Sequence, residues 1–312
     1  MPNLIRIIAT AGVIAAFTAS ASAKIERVVE KTFQVQPGVH LKVSTSGGDV
    51  HITSSSGSAV TVVAKEHIRA GSEAEADETL KKLDLTIAQD GNEVVASASY
   101  GSGGFHFGSW PPVQVDFLIT VPASASAELK TSGGDVVVGD LEGAVRAHTS
   151  GGDMKLGSIG GEVDASTSGG NVSLVEGRGA VKLTTSGGNV SVDHAVGPSV
   201  LKTSGGDIKI DSVENTLTAE TSGGDVKAGF RGPLKGDCEL STSGGEVRAT
   251  VARDAGFHLD AATSGGVVNA SGLTITIDRG GAGKSTLAGL VNGGGPLLKL
   301  RSSGGNIDVV TR

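Results

Sequence analysis

Residues Thr131–His148 read TSGGDVVVGDLEGAVRAH, and five slightly varied copies follow without a gap. The Ser-Gly-Gly signature begins at Ser132, Ser150, Ser168, Ser186, Ser204 and Ser222, a strict period of 18 residues. It returns at Ser243 and Ser264, each after 21 residues, and at Ser303 after 39, with one outlier upstream at Ser46. A fixed short period marks stacked units, none of which can bury its apolar face alone.

With the repeat numbered from its Thr, positions 6 and 8 are apolar: Val136/Val138, Met154/Leu156, Val172/Leu174, Val190/Val192, Ile208/Ile210. Positions 15 and 17 repeat the pattern as Val145/Ala147, Val163/Ala165, Val181/Leu183 and Leu217/Ala219. Alternation within each pair is the two-residue period of a strand with one face turned inward. Gly at positions 4 and 13 separates the pairs, so each unit is expected to be two short strands and two tight turns. Ser199-Val200-Leu201 in the fourth copy reads as a local slip.

Such a unit can be a meander of hairpins or one coil of a flattened solenoid. The solenoid is favoured, because like residues then stack on themselves about 4.8 Å apart. Position 16 agrees: Arg146, Asp164 and Lys182 become neighbours of alternating sign. Cys238, counted back from Thr242, falls on inward position 15 and is expected to be a small buried hydrophobe. The ends of such a stack are open sheet edges that need covers and offer a route to homo-oligomers.

Composition supports a thin core. The 312 residues include 49 Gly and only 3% aromatics, so Val, Leu, Ile, Ala and Thr must fill the interior. Arg6, the apolar Ile7–Phe17 and the small residues Ala21-Ser22-Ala23 form an export signal cleaved after Ala23. The chain is then periplasmic, secreted or at the cell surface, and no other stretch is apolar enough to cross a membrane as a helix. Removing Arg6 leaves 33 acids against 25 bases. That acidic balance, with no basic block, excludes nucleic acid as a partner. A lone Cys excludes an intramolecular disulfide.

Outside the array, Lys24–Val43 reads as strands around a Pro37-Gly38 turn, and Val60–Ala64 as another. Gly71–Leu83 is the one helix candidate: Ser72 and Glu75 form a capping box, and Lys81-Lys82 occupy its last turn. Asp84–Ala88 and Val94–Ser99 pair about Asp90-Gly91-Asn92, and Val113–Val121 is a further strand. Thr274–Ile277 and Leu297–Leu300 are the last long strands. The expected organisation is a signal at 1–23, an N-terminal β region and cap at 24–130, and the repeat array with its C-terminal cap at 131–312. The fold class is all-β, a single elongated β-solenoid with an irregular N-terminal region and one short helix.

The export signal, the Ser-Gly-Gly-Asp/Asn-Val repeats, PVQVDFLITVPASASAELKTSGGDV and the closing NGGGPLLKLRSSGGNIDV resemble the bacterial putative-adhesin family of β-strand-repeat proteins. The resemblance runs from about Ile25 to Thr311. It implies a secreted or envelope-associated solenoid named an adhesin by analogy, and it carries over no catalytic residue.

Four constellations invite chemistry. Gly280–Thr286, GGAGKST, mimics a phosphate loop, but Asp278 stands where the first Gly belongs, and Leu287–Pro296 is too Gly-rich for the required helix. Position 5 carries an acid stripe of Asp135, Asp153, Asn171, Asn189, Asp207, Asp225 and Glu246. Its expected role is local turn capping, with a calcium-binding roll as the alternative. Outward Lys155, Lys209, Lys227 and Arg248 offset its charge. The histidines are scattered, and no HExxH, paired Cys or Gly-x-Ser-x-Gly elbow is present, so neither a metal, a cofactor nor an enzyme is expected. The remaining candidate is the aromatic loop, where Tyr100, Phe105, His106, Phe107 and Trp110 sit among Gly and Ser. It can act as a lid on the core or as an anchor for a protein, glycan or envelope surface. The expected function is a non-enzymatic exported interaction scaffold. The alternatives are a carbohydrate-binding or carbohydrate-cleaving solenoid and a calcium-dependent secreted roll.

Overall fold

The computed structural model describes residues 25–101 and 112–312, and the chain divides into two compact units, Met1–Gly143 and Ala144–Arg312. Among the described residues there are 27 strands and one helix, so the chain is all-β.

The first unit contains β1 (Ile25–Gln34), β2 (His40–Thr45), β3 (Val50–Ser55), β4 (Ala59–Ile68), α1 (Glu73–Leu80), β5 (Leu83–Asp90), β6 (Glu93–Tyr100), β7 (Val113–Pro122), β8 (Ser126–Thr131) and β9 (Val136–Val138). One sheet runs β1-β4-β7-β3-β9 and the other β5-β6-β2-β8. The Pro37-Gly38 turn does not make a hairpin of its flanking strands. β1 pairs antiparallel with β4, whereas β2 lies in the opposite sheet, parallel to β6 and β8. The coil β2–β3 is therefore sandwiched between β6–β7 and β8–β9, both later in sequence. Gly91 takes φ 56° in the β5–β6 hairpin turn, a left-handed conformation that suits glycine.

Helix α1 is shorter than the sequence pattern predicts. Ser72 Oγ accepts the Glu75 N–H at 3.3 Å as expected, but Glu75 Oε2 reaches back to the Gly71 N–H at 2.8 Å. Lys81 forms the C-cap instead of the last helical turn. Arg27 on β1 ties the helix down through Glu73 at 2.7 Å and Asp77 at 2.9 Å. The open edges of this end are clasped, since Lys31 on β1 donates to the Ile87 carbonyl on β5 at 2.8 Å.

The second unit begins with regular coils: β10 (Val145–His148), β11 (Met154–Ile159), β12 (Val163–Ser166), β13 (Val172–Gly177), β14 (Val181–Thr184), β15 (Val190–Ala195), β16 (Ser199–Lys202), β17 (Ile208–Val213) and β18 (Leu217–Thr221). Enlarged coils follow: β19 (Val226–Phe230), β20 (Cys238–Thr242), β21 (Val247–Val251), β22 (Phe257–Thr263), β23 (Val268–Ser271), β24 (Ile275–Ala282), β25 (Thr286–Val291), β26 (Leu297–Ser302) and β27 (Ile307–Thr311). From β10 to β23 successive strands alternate between two sheets, and within this unit the regular coils stack in parallel, each on the one before it. Val172 pairs with Val190 and Val190 with Ile208; Val163 pairs with Val181. This is the two-strand, 18-residue solenoid coil that the period implies.

Positions 6, 8, 15 and 17 point inward and are buried, including Met154, Leu174, Val181, Leu183 and Ile208. Each such aliphatic side chain contributes about 1.5–3 kcal/mol relative to exposure. Outward position 16 brings Arg146, Asp164 and Lys182 into line, with Lys182 3.5 Å from Asp164. The fourth copy does not slip. Ser199 holds inward position 15 between Val181 and Leu217, buried, and donates to the Gly197 carbonyl at 3.2 Å. Cys238 is buried at its inward position, and burial pushes its thiol above the usual range.

Stacking departs from chain order at the far end. One sheet runs β21-β27-β23, the other β20-β26-β22-β25-β24. The last coil, β26–β27, thus lies between two coils that precede it in sequence. The terminal edge is covered instead by the β24–β25 hairpin, whose second strand arises from the Gly-rich stretch expected to be irregular.

Candidate functional site

The repeat signature builds one continuous structure along the turn. Thr185 Oγ1 donates to the Gly170 carbonyl of the preceding coil at 2.8 Å and accepts the Gly188 N–H of its own turn at 3.3 Å. Thr203 repeats this with Gly188 and Gly206, and Thr221 with Gly206 and Gly224. A buried hydroxyl is thereby satisfied as both donor and acceptor, and it closes each turn while joining it to the next.

The Asp/Asn stripe forms a second ladder beside the first. Asp153 Oδ1 accepts the Asn171 N–H at 2.7 Å, Asn171 Oδ1 that of Asn189 at 2.9 Å, and Asn189 Oδ1 that of Asp207 at 2.8 Å. Asp207 continues to Asp225, and Asp225 to Glu246. In the first unit Asp116 serves the Asp49 N–H and Asp49 that of Asp135. The expected local turn capping is thus corrected: these side chains bond across coils. Only a carbonyl-type acceptor is required, which is why Asp and Asn interchange. The interchange weighs against the calcium reading. Asp225 Oδ1 is taken by the Glu246 N–H and its Oδ2 by Lys227 at 3.0 Å, and these contacts hold its carboxyl below the usual range. Among the described residues no group of three or more His, Cys, Asp or Glu is arranged to hold a metal ion.

The second glycine of each signature answers to packing and not to turn handedness. A Cβ on Gly170 would lie 2.1 Å from the Gly152 carbonyl oxygen, so the stacked turns approach too closely for any side chain.

On the opposite turn, Glu176, His194 and Ser212 are adjacent in three successive strands. His194 Nε2 lies 2.8 Å from Glu214 Oε1, so a Ser-His-Glu trio is assembled. It lacks the geometry of nucleophilic catalysis. Ser212 is fully buried and its hydroxyl has no hydrogen-bond partner, so the imidazole cannot activate it and no acyl group can reach it. His258 pairs with Asp278 at 2.8 Å, and His148 with Ser166 at 2.9 Å, in separate coils.

The GGAGKST stretch forms the β24–β25 hairpin and no phosphate cradle. The Gly283 N–H bonds to the Thr286 carbonyl at 2.9 Å and a strand follows in place of a helix. A shallow groove of about 210 Å³ crosses the outer face of one sheet, lined by Glu162, Lys182, Pro198, Val200 and Thr218. Of the aromatic candidates, Tyr100 ends β6, half-buried and paired with Leu83. Phe105, His106, Phe107 and Trp110 lie outside the described residues.

Fold and ladders define a parallel β-solenoid whose repeat signature is spent on holding coils together. The chain belongs to the Toastrack DUF4097 family, whose sequence profile matches residues 39–310. Among solved structures it is similar to a putative adhesin from Parabacteroides merdae at 10% identity and a TM-score of 0.43, over 91% of this chain and 96% of that one. It is similar to a putative adhesin from Bacteroides fragilis at 13% identity and a TM-score of 0.32, over 91% and 97%. A putative cell adhesion protein from Clostridium sporogenes matches at 10% identity and a TM-score of 0.22, over 92% and 100%. No curated protein matches the chain. Among the described residues no helix is long and apolar enough to cross a membrane.

Proposed function

We propose that the chain is an exported, non-catalytic scaffold of the adhesin kind, presenting recognition elements on a stiff solenoid. One observation supports this above the others. The Thr and Asp/Asn side chains that a repeat could offer to a ligand are consumed between coils, as in the bonds of Thr185, Thr203, Asn171 and Asp207. Recognition then belongs to segments that leave the period, first among them the loop from Tyr100 to Trp110. Its partner is a protein or glycan surface of the cell envelope, and cleavage after Ala23 delivers the chain there. The mature chain comprises an N-terminal β region and cap at 24–130 and the array at 131–312, with the outermost strands β23 and β24 as its route to self-association.

Capture from envelope extract tests this reading. The full mature chain should retain a defined set of envelope components, and deletion of Gly101–Trp110 should abolish that retention. Unchanged capture by the deleted form would remove the loop as the site. Turnover of envelope polysaccharide by the purified chain would replace the scaffold reading with the enzymatic one.

A further inference from the structure

We infer that the coil Leu297–Thr311 is a mechanical wedge, built to resist tension applied at Arg312. The inference concerns mechanics and stands whether or not the scaffold binds through its aromatic loop.

In a solenoid stacked in chain order, the last coil has a neighbour on one side only and peels away one bond at a time. This coil is different. β26 pairs in parallel with β20, Leu298 opposite Cys238, and with β22, Leu298 opposite Leu259. β27 pairs in parallel with β21, Ile307 opposite Val247, and with β23, Ile307 opposite Val268. Extracting either strand breaks two rows of backbone bonds, and a pull along the strands loads both rows in shear.

Side chains stitch the wedge on both flanks. Toward the coil at Thr242, Lys299 meets Glu239 at 2.8 Å, Ser302 Oγ donates to the Gly245 carbonyl at 2.9 Å, and Arg248 meets Asp308 at 3.1 Å. Toward the coil at Thr263, Arg301 pairs with Asp260. On that flank Thr263 Oγ1 donates to the Gly305 carbonyl at 2.7 Å, and Asn269 Nδ2 donates to Asp308 Oδ1 at 3.0 Å. Asn306 bridges the two flanks: its Oδ1 accepts the Val267 N–H at 3.0 Å, and its Nδ2 faces Glu246 Oε1 at 3.3 Å. Asn269 and Arg248 hold the Asp308 carboxyl below the usual range, so it stays charged between them. The chain reaches the slot through Asn292–Gly295, four successive residues with φ of 48°, 90°, 89° and 156°. Such a run lets the backbone double back past the β24–β25 hairpin.

Single-molecule pulling on the full chain, held through Ser186, tests this. Force is applied in one series at Arg312 and in another at Lys284, the exposed tip of the hairpin whose strand β24 has a neighbour on one side only. The first rupture at Arg312 should need about twice the force of that at Lys284, because two rows resist in place of one. Asn306→Ala with Asp308→Ala should lower the Arg312 rupture and leave the Lys284 rupture unchanged. Equal rupture forces at the two points in the unaltered chain, or an equal drop at both in the variant, would overturn the inference.

Discussion

Asp207 Oδ1 accepts the backbone N–H of Asp225 at 2.8 Å, one full coil of 18 residues away. The side chain of one coil thus completes the backbone of the next, at a turn where the sheet ladder cannot. Asp207→Ala leaves the Asp225 N–H without its acceptor at a partly solvated turn. A loss of about 1 kcal/mol is expected, the low end for an orphaned donor. Asp207→Asn keeps the acceptor and should stay within about 0.5 kcal/mol. Denaturant unfolding of the two variants separates the ladder from a simple charge effect, because only the second reading predicts equal losses.

The two glycines of one signature should behave unequally. A Cβ at Gly170 would sit 2.1 Å from the Gly152 carbonyl oxygen, a backbone atom that cannot swing aside. At Gly169 the nearest atom would be the Gly151 carbonyl oxygen at 3.3 Å. Gly170→Ala is therefore expected to cost about 3 kcal/mol or more through forced separation of coils. Gly169→Ala should cost less than about 1 kcal/mol. Similar melting temperatures for the pair would show that coil spacing is looser than these contacts require.

The repeat made the coil legible because its information is local and recurs. Val172, Val190 and Ile208 share a position in sequence and a column in space. The ladder partners were harder to foresee, since a Thr at the start of each turn says nothing by itself of whose carbonyl it meets. The placement of β26–β27 was not legible at all. Its SSGGN signature fits any slot in the stack, and only long-range pairing with both β21 and β23 decides which one. The Ser199 register is hard to read because a buried Ser looks like a shifted apolar pair when the bond of its hydroxyl to the Gly197 carbonyl is not visible. After GGAGKST no helix forms, as the Gly-rich sequence implies, but the same glycines hide the strand that does form there.

Glu66 continues the inward row of β4, after Val60, Val62 and Ala64, and burial pushes its carboxyl above the ordinary range against the pull of Arg27. The folded chain therefore holds this proton more tightly than the unfolded chain does. The associated stability is fully present below the unfolded carboxylate range and is lost as pH rises through the raised folded value. Glu66→Gln removes the cost of burying the anion, so it should raise the melting temperature at pH 7 by more than it does at pH 4. A variant that melts lower than the parent at pH 7 would mean that Arg27 more than offsets the burial.

Ser199 is the one inward position 15 in the regular coils filled by a polar residue, flanked in its sheet by Val181 and Leu217. Its hydroxyl is buried and meets only a carbonyl two residues away, a bond worth about 1 kcal/mol at most. Valine at this site extends the aliphatic column and adds apolar burial of about 1–2 kcal/mol. Because the preceding coils already hold Val163 and Val181 at the same position of this column, the extra methyl groups meet a space that the coil geometry provides. Ser199→Val should therefore stabilise the chain by about 1 kcal/mol in denaturant unfolding, the reverse of the usual sign for a core substitution. Destabilisation would mean that the Ser199–Gly197 bond fixes the turn before β16 and that the column there is closed to a larger side chain.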